Sequence, residues 1–220
     1  MKRNLKILLC LTVIIYSAII SQGLNFSIYV YDVCAADYVK ADAADNEYVV
    51  FTEKNIKTED MRKKSKLNKQ KLSEYMKKFP KLSGIEETLI EMQDEHSVNA
   101  LLILAIVRLE SGNGKSQIAQ SRNNLGGIVV SGKTVNVYKS FDTRSDCIIY
   151  MAELISKNYL TEGGKYFNGY TLTDIAKKYS ASPDIWAERI KEIIYEIQTG
   201  IDEIDGIDKI DEIDEVQAKS

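Results

Sequence analysis

From Val98 to Leu109 the chain reads Val-Asn-Ala-Leu-Leu-Ile-Leu-Ala-Ile-Val-Arg-Leu, three helical turns with almost no polar face, closed by Glu110-Ser-Gly-Asn-Gly. A helix that is apolar on all sides has to lie inside a globular body, with other elements wrapped around it. The surroundings supply those elements. Ile85 to Ser97 has an amphipathic helical pattern, with Ile85, Leu89, Ile90 and Met92 on one side and Glu86, Glu87, Glu91, Asp94 and Glu95 on the other. Ser116 to Ser121, Ser145 to Tyr159, Leu172 to Tyr179 and Pro183 to Gln198 read as further helices, the last beginning with a proline suited to a first helical turn. Between them, Asn123 to Ile128 reads as a loop, and Ile128 to Tyr138 as a β-hairpin turning at Ser131-Gly132-Lys133-Thr134. The expected class is mostly α with one short β-hairpin.

The two ends differ from this core. Lys2, Arg3 and Lys6 precede an uncharged run, so residues 1–36 are expected to be a signal peptide or an uncleaved N-terminal membrane anchor, placing the rest outside the cytoplasm. Residues 37–66 are expected to form a spacer with a basic segment, 67–200 the catalytic body, and 201–220 an acidic low-complexity tail. The net charge of −3 conceals +8 between Lys54 and Lys81 and −6 after residue 200. The basic stretch, with Met61, Leu67, Leu72, Tyr75, Met76 and Phe79 interleaved at roughly helical spacing, reads either as a solvated helical face or as a surface for an anionic wall polymer or membrane. Nucleic acid is a poor partner for an exported chain. Three scattered cysteines and the single His96 argue against a disulfide framework, a metal centre or a Ser-His-Asp triad, so no metal or cofactor is expected.

Glu110 is the residue most suited to chemistry. A carboxyl group where a buried helix opens into a glycine-rich loop is expected to be partly desolvated, which disfavours its charged form and suits a general acid. The plainer reading is a helix-terminal glutamate paired with Arg108 or Lys115.

The segment from Leu104 to Ser116, containing Glu110-Ser-Gly-Asn-Gly-Lys-Ser, and the loop Asn123-Asn-Leu-Gly-Gly-Ile128 together resemble the paired signature of the bacterial peptidoglycan N-acetylglucosaminidase family. Tyr138-Lys-Ser-Phe141 with Ser145-Asp146, and Tyr179-Ser-Ala-Ser-Pro-Asp-Ile-Trp186, are similar to later motifs of that family. The resemblance implies a lysozyme-like α-lobe with a short β-hairpin lobe, a cleft between them, and hydrolysis of the β-1,4 bond after N-acetylglucosamine in wall glycan. Glu110 would be the general acid, Asn123, Asn124 and Gly127 would line the cleft floor, and Tyr179 and Trp186 would flank the sugar, with Phe141 also on the substrate side. Gly126 stands where the family usually has phenylalanine, removing a wall of the cleft or leaving it to another side chain. The hairpin carries no acidic residue. A second catalytic carboxylate would then be Asp142, with Asp146, Asp184 and Glu188 as other candidates, or the substrate's 2-acetamido oxygen would take its place. A lytic transglycosylase of the same fold and a non-catalytic glycan-binding module are the rival readings.

Overall fold

The computed structural model describes residues 47–130 and 137–218, with side chains placed through Ile204. The expectations for residues 1–36 and for the hairpin tip at 131–136 lie outside the described residues. Two short parallel strands come first, β1 (Tyr48–Val49) and β2 (Lys64–Ser65). The helices follow as α1 (Lys69–Met76), α2 (Glu86–His96), α3 (Ala100–Ser111), α4 (Gln117–Arg122), α5 (Arg144–Ile155), which ends in a π-helical turn (Ser156–Leu160), α6 (Leu172–Tyr179) and α7 (Pro183–Ala218). The mostly helical class is as expected.

α3 is the central helix. Every side chain from Ala100 to Arg108 is buried, and α2, α5 and α7 pack around it. Water cannot reach the first N–H groups of such a helix, so other groups must accept from them. Asn99 Oδ1 accepts from Leu101 N at 2.9 Å and Leu102 N at 3.2 Å, while its Nδ2 donates to Lys63 O and Ser65 Oγ. Gln93 accepts from Ser65 N and Ala100 N and donates back to Ser65 O. The same amides that cap α3 therefore pin β2 against it. The capping by Asn99 also explains why the helix starts at Ala100 and not at Val98.

The expected spacer over residues 37–66 is corrected from residue 47 onward. Phe51, Ile56 and Met61 are at most 2% exposed and belong to the core. Met61 N donates to Tyr170 O, Thr173 N donates to Lys57 O, and Arg62 lies over the Tyr170 ring, so this segment straps the start of α6. Its polar composition concealed three apolar anchors spaced five residues apart, which fits neither a helix nor a strand period. Only α1 within the basic stretch is helical, a correction to the helical-face reading. Lys57, Arg62, Lys63, Lys64, Lys69 and Lys77 form ion pairs with carboxylates of the same chain.

Through the acidic tail, α7 continues without a break to Ala218. Ile190, Ile194, Ile197 and Ile201 are all buried and alternate steps of four and three residues, the spacing of one helical face. Gly200 lies in this stripe because a Cβ there would come within 2.6 Å of the Tyr75 ring, which lets α1 approach α7 closely.

Met61→Ala is expected to destabilise the full chain by about 2–5 kcal/mol in urea unfolding; an unchanged midpoint would return residues 47–66 to the status of a spacer.

Candidate functional site

The C-terminal end of α3 is shaped by the residues after the buried run. Ser111 Oγ donates to Val107 O and accepts from Gly114 N, while Ser116 N donates back to Ser111 O at 2.9 Å. Gly112, Asn113 and Gly114 all have positive φ, and a Cβ on Gly114 would meet Lys81 O at 2.7 Å. The second glycine is thus needed for both its backbone conformation and its close packing. Ser116 then caps α4 by accepting from Ala119 N. The spacing Glu-Ser-Gly-x-Gly-x-Ser is that of a tight helix-to-helix connection that leaves Glu110 at its outer corner.

Glu110 is exposed, a correction to the expected desolvation by its own helix. The plain alternative fails too. Arg108, 6% exposed, turns inward and binds Glu196, and Lys115 makes no ion pair with Glu110. The Glu110 carboxylate instead accepts from Trp186 Nε1 at 3.4 Å. Trp186 packs on Tyr179 with ring centroids 4.7 Å apart, and Tyr179 packs on Tyr159, which continues to Tyr166. Burial, reinforced by the negative charge of Glu110, pushes the Tyr179 phenol well above the usual tyrosine range. Tyr179 therefore stays neutral beside the carboxylate, able to donate a hydrogen bond at any ordinary pH.

The structure thus brings Glu110, Tyr179 and Trp186 together, from the ends of α3 and α6 and the first turn of α7. Tyr159 and Tyr166 extend the aromatic cluster. Their sequence signal was weak, since Tyr159 sits on the π-helical turn, where the wider winding breaks the helical period.

The two asparagines are both engaged with the backbone of their own chain. Asn124 is 1% exposed, and its Nδ2 donates to Ile128 O and Lys139 O while Oδ1 accepts from Ile128 N. Asn123, in the left-handed conformation at the end of α4, donates through Nδ2 to Phe141 O and Asp142 O. Both amides tie the loop to the returning chain of the β-segment, where Val129 bridges Tyr138 in antiparallel fashion. Phe141 is half-buried against Tyr150, with Lys139 above both rings. Gly127 adopts a φ of +62° with open space around it, a conformation that explains the glycine.

Gly126 has a specific replacement for the missing phenylalanine. A Cβ at this position would lie 2.6 Å from Met151 Sδ and 3.2 Å from Ile128 Cδ1, so Met151 of α5 already fills the space. Nearby, the Cys147 thiol is buried and accepts from Leu125 N, a packing role.

Of the other acids, Asp146 is occupied in a capping box with Thr143 at the start of α5, and Glu188 is paired with Lys57 and Lys191. The Asp142 and Asp184 side chains are exposed, and among the described residues Asp142 forms no hydrogen bond or ion pair with Glu110, Tyr179 or Trp186. Those residues also contain no cluster of His, Cys, Asp and Glu able to hold a metal ion.

Comparisons with known proteins agree on the type of molecule. The family model described as Glucosaminidase, mannosyl-glycoprotein endo-beta-N-acetylglucosaminidase, matches residues 86–199. A candidate endo-beta-N-acetylglucosaminidase of Streptococcus pneumoniae serotype 4 is 32% identical over 111 residues, covering 50% of this chain but only 17% of the relative. Among solved structures, S. aureus autolysin E in complex with the muropeptide NAM-L-Ala-D-iGlu shares 16% identity, covering 66% of this chain and 72% of that one, with a TM-score of 0.51. A catalytic mutant of the same autolysin with the disaccharide NAG-NAM gives 17%, the same coverage and a TM-score of 0.50. These structural likenesses concern the fold, which is lysozyme-like.

Two measurements check this geometry. Gly126→Phe is expected to lower stability by about 1–3 kcal/mol through overpacking, with Met151→Ala in the same chain restoring part of it. Asp174 caps α6, the helix that ends in Tyr179. Burial raises its carboxyl, but hydrogen bonds from Thr171 and Lys177 outweigh this and hold it below the usual range. A depressed folded value means the cap contributes fully above about pH 4 and is lost as pH falls through that value. The stability gap between the parent and Asp174→Asn should therefore narrow on acidification from pH 6 to 2.

Proposed function

The chain belongs to the glucosaminidase family, and from that premise we propose that it is an exported cell-wall hydrolase that cuts the β-1,4 bond after N-acetylglucosamine in peptidoglycan, with Glu110 as general acid. The observation that carries the proposal is the grouping of Glu110, Trp186 and Tyr179 at the exposed end of the buried helix. The Trp186 N–H orients one carboxylate oxygen. A glycan laid over the exposed carboxyl would exclude water from it, which favours the protonated form that an acid catalyst needs. The substrate would thus supply the desolvation that the helix end does not. The neutral Tyr179 hydroxyl is a donor for a sugar or N-acetyl oxygen, and the aromatic cluster gives the ring an apolar surface.

Asp146 and Glu188 are poor second groups because their partners already hold them. Asp142, Asp184 and the substrate's own acetamido oxygen are left, and the acetamido route needs no further carboxylate. That shortage of acids also favours a second reading, a transglycosylase in which the muramic 6-hydroxyl replaces water. The apolar N-terminal segment supports export. The extensive ion pairing of the basic stretch argues for weak attraction to anionic wall polymers.

Glu110→Gln should lower release of reducing ends from purified peptidoglycan by at least about 100-fold; activity close to the parent's would remove Glu110 from the mechanism. Mass spectra of the fragments separate the two reactions: reducing N-acetylglucosamine ends support hydrolysis after that sugar, and 1,6-anhydro-muramic ends support the transglycosylase.

A further inference from the structure

Arg108 is a buried cation that the chemistry above does not use. Its three nitrogens reach three parts of the chain: Nη1 donates to Tyr75 Oη at 2.9 Å, Nε to Asn113 Oδ1 at 3.0 Å, and Nη2 to Glu196 Oε2 at 3.0 Å and Oε1 at 3.2 Å. Tyr75 Oη in turn donates to Glu196 Oε1 at 3.1 Å, and the guanidinium lies 4.0 Å above the Phe79 ring. Glu196 is the only carboxylate in this cluster. An unpaired buried cation is costly, so the position of Glu196 is strongly constrained by Arg108.

The connection to the site runs through α7. Arg108 and Glu110 lie two residues apart on α3, about 200° around the helix, yet both touch α7: one at Glu196, the other at Trp186. These contacts are ten residues apart on α7, about 15 Å along its axis. α7 therefore lies across the end of α3 and is held there at two points. The Glu196 contact adds a polar anchor to the apolar packing of Ile190, Ile194 and Ile197, one turn and more beyond the point where the indole meets the carboxylate.

We propose that Glu196 is a positioning residue for Glu110: by clamping the Arg108 guanidinium it fixes α7 against the last turn of α3 and so holds Trp186 Nε1 on the Glu110 carboxylate. The catalytic consequence rests on the general-acid reading above, whereas the geometric one does not.

The experiment uses the single tryptophan of the full chain as an optical reporter. The change in Trp186 emission caused by Glu110→Gln is measured in the parent and again with Glu196→Ala, the difference being the coupling. That change should shrink to less than about half in the Ala background, and kcat of Glu196→Ala should fall between about 10- and 100-fold with KM within about twofold, as for a misplaced catalytic group. Glu196→Gln, which keeps the chain length and one acceptor oxygen but not the charge, should recover part of both. An undiminished emission change in a folded Glu196→Ala protein overturns the proposal, as does a fall in KM-limited binding with kcat intact. Should Glu196→Ala not fold, Glu196→Asp, too short to span both donors, is read in its place, and parental emission coupling and kcat overturn the proposal. If Glu110→Gln stays active while the emission coupling behaves as expected, the general-acid reading fails and the positioning contact stands.

Discussion

A helix surrounded by protein on every side cannot satisfy its two ends with water, and most of the organisation of this chain follows from how α3 meets that constraint. At the start, Asn99 and Gln93 cap the helix and capture β2 with the same amide groups. At the finish, Ser111, the two glycines and Arg108 gather the last turn, α1 and α7 into one polar cluster. The buried apolar run of the helix lies between these two polar plugs. The exposed Glu110 carboxyl stands beside the second one, where the helix meets solvent.

The role of the asparagine pair follows the same logic at the β-segment. Short strands contribute few ladder hydrogen bonds, so their backbone needs other partners. Asn123 and Asn124 provide them, with both amides donating to carbonyls of the returning chain. A motif that resembles a sugar-binding loop thus works as a staple for the β-segment. The Gly126 and Met151 pair makes a related point: the space of a missing aromatic ring is filled from a different element.

Much of this was legible in the sequence because it depended on local pattern. The buried helix, the amphipathic partner before it and the turn after Glu110 each follow from residue spacing within a dozen positions. The exposure of Glu110 was not legible, because it depends on which neighbouring elements cover the helix end. The inward turn of Arg108 depends on Tyr75 and Glu196, 33 and 88 positions away in the chain. The strap before α1 was missed because its anchors Phe51, Ile56 and Met61 follow neither a helical nor a strand period and sit among charges, several of which form ion pairs. The length of α7 was not legible in the acidic composition after residue 200, although the buried stripe through Ile201 carries the helix past that point.

The strap also sets the size of the unit that can be exchanged between proteins. The family match begins at Glu86, but nine core side chains from Val49 to Ile85, three of them the strap's anchors, and the partners of Asn99 come from upstream of it. At about 2 kcal/mol or more for each lost core side chain, trimming to the matched stretch would remove a sum comparable to the whole stability margin of a typical domain. The heritable module is therefore longer than its signature. Any recombination that moved this helical body into another architecture would have had to carry the strap with it, or else replace its three anchors from the new neighbour.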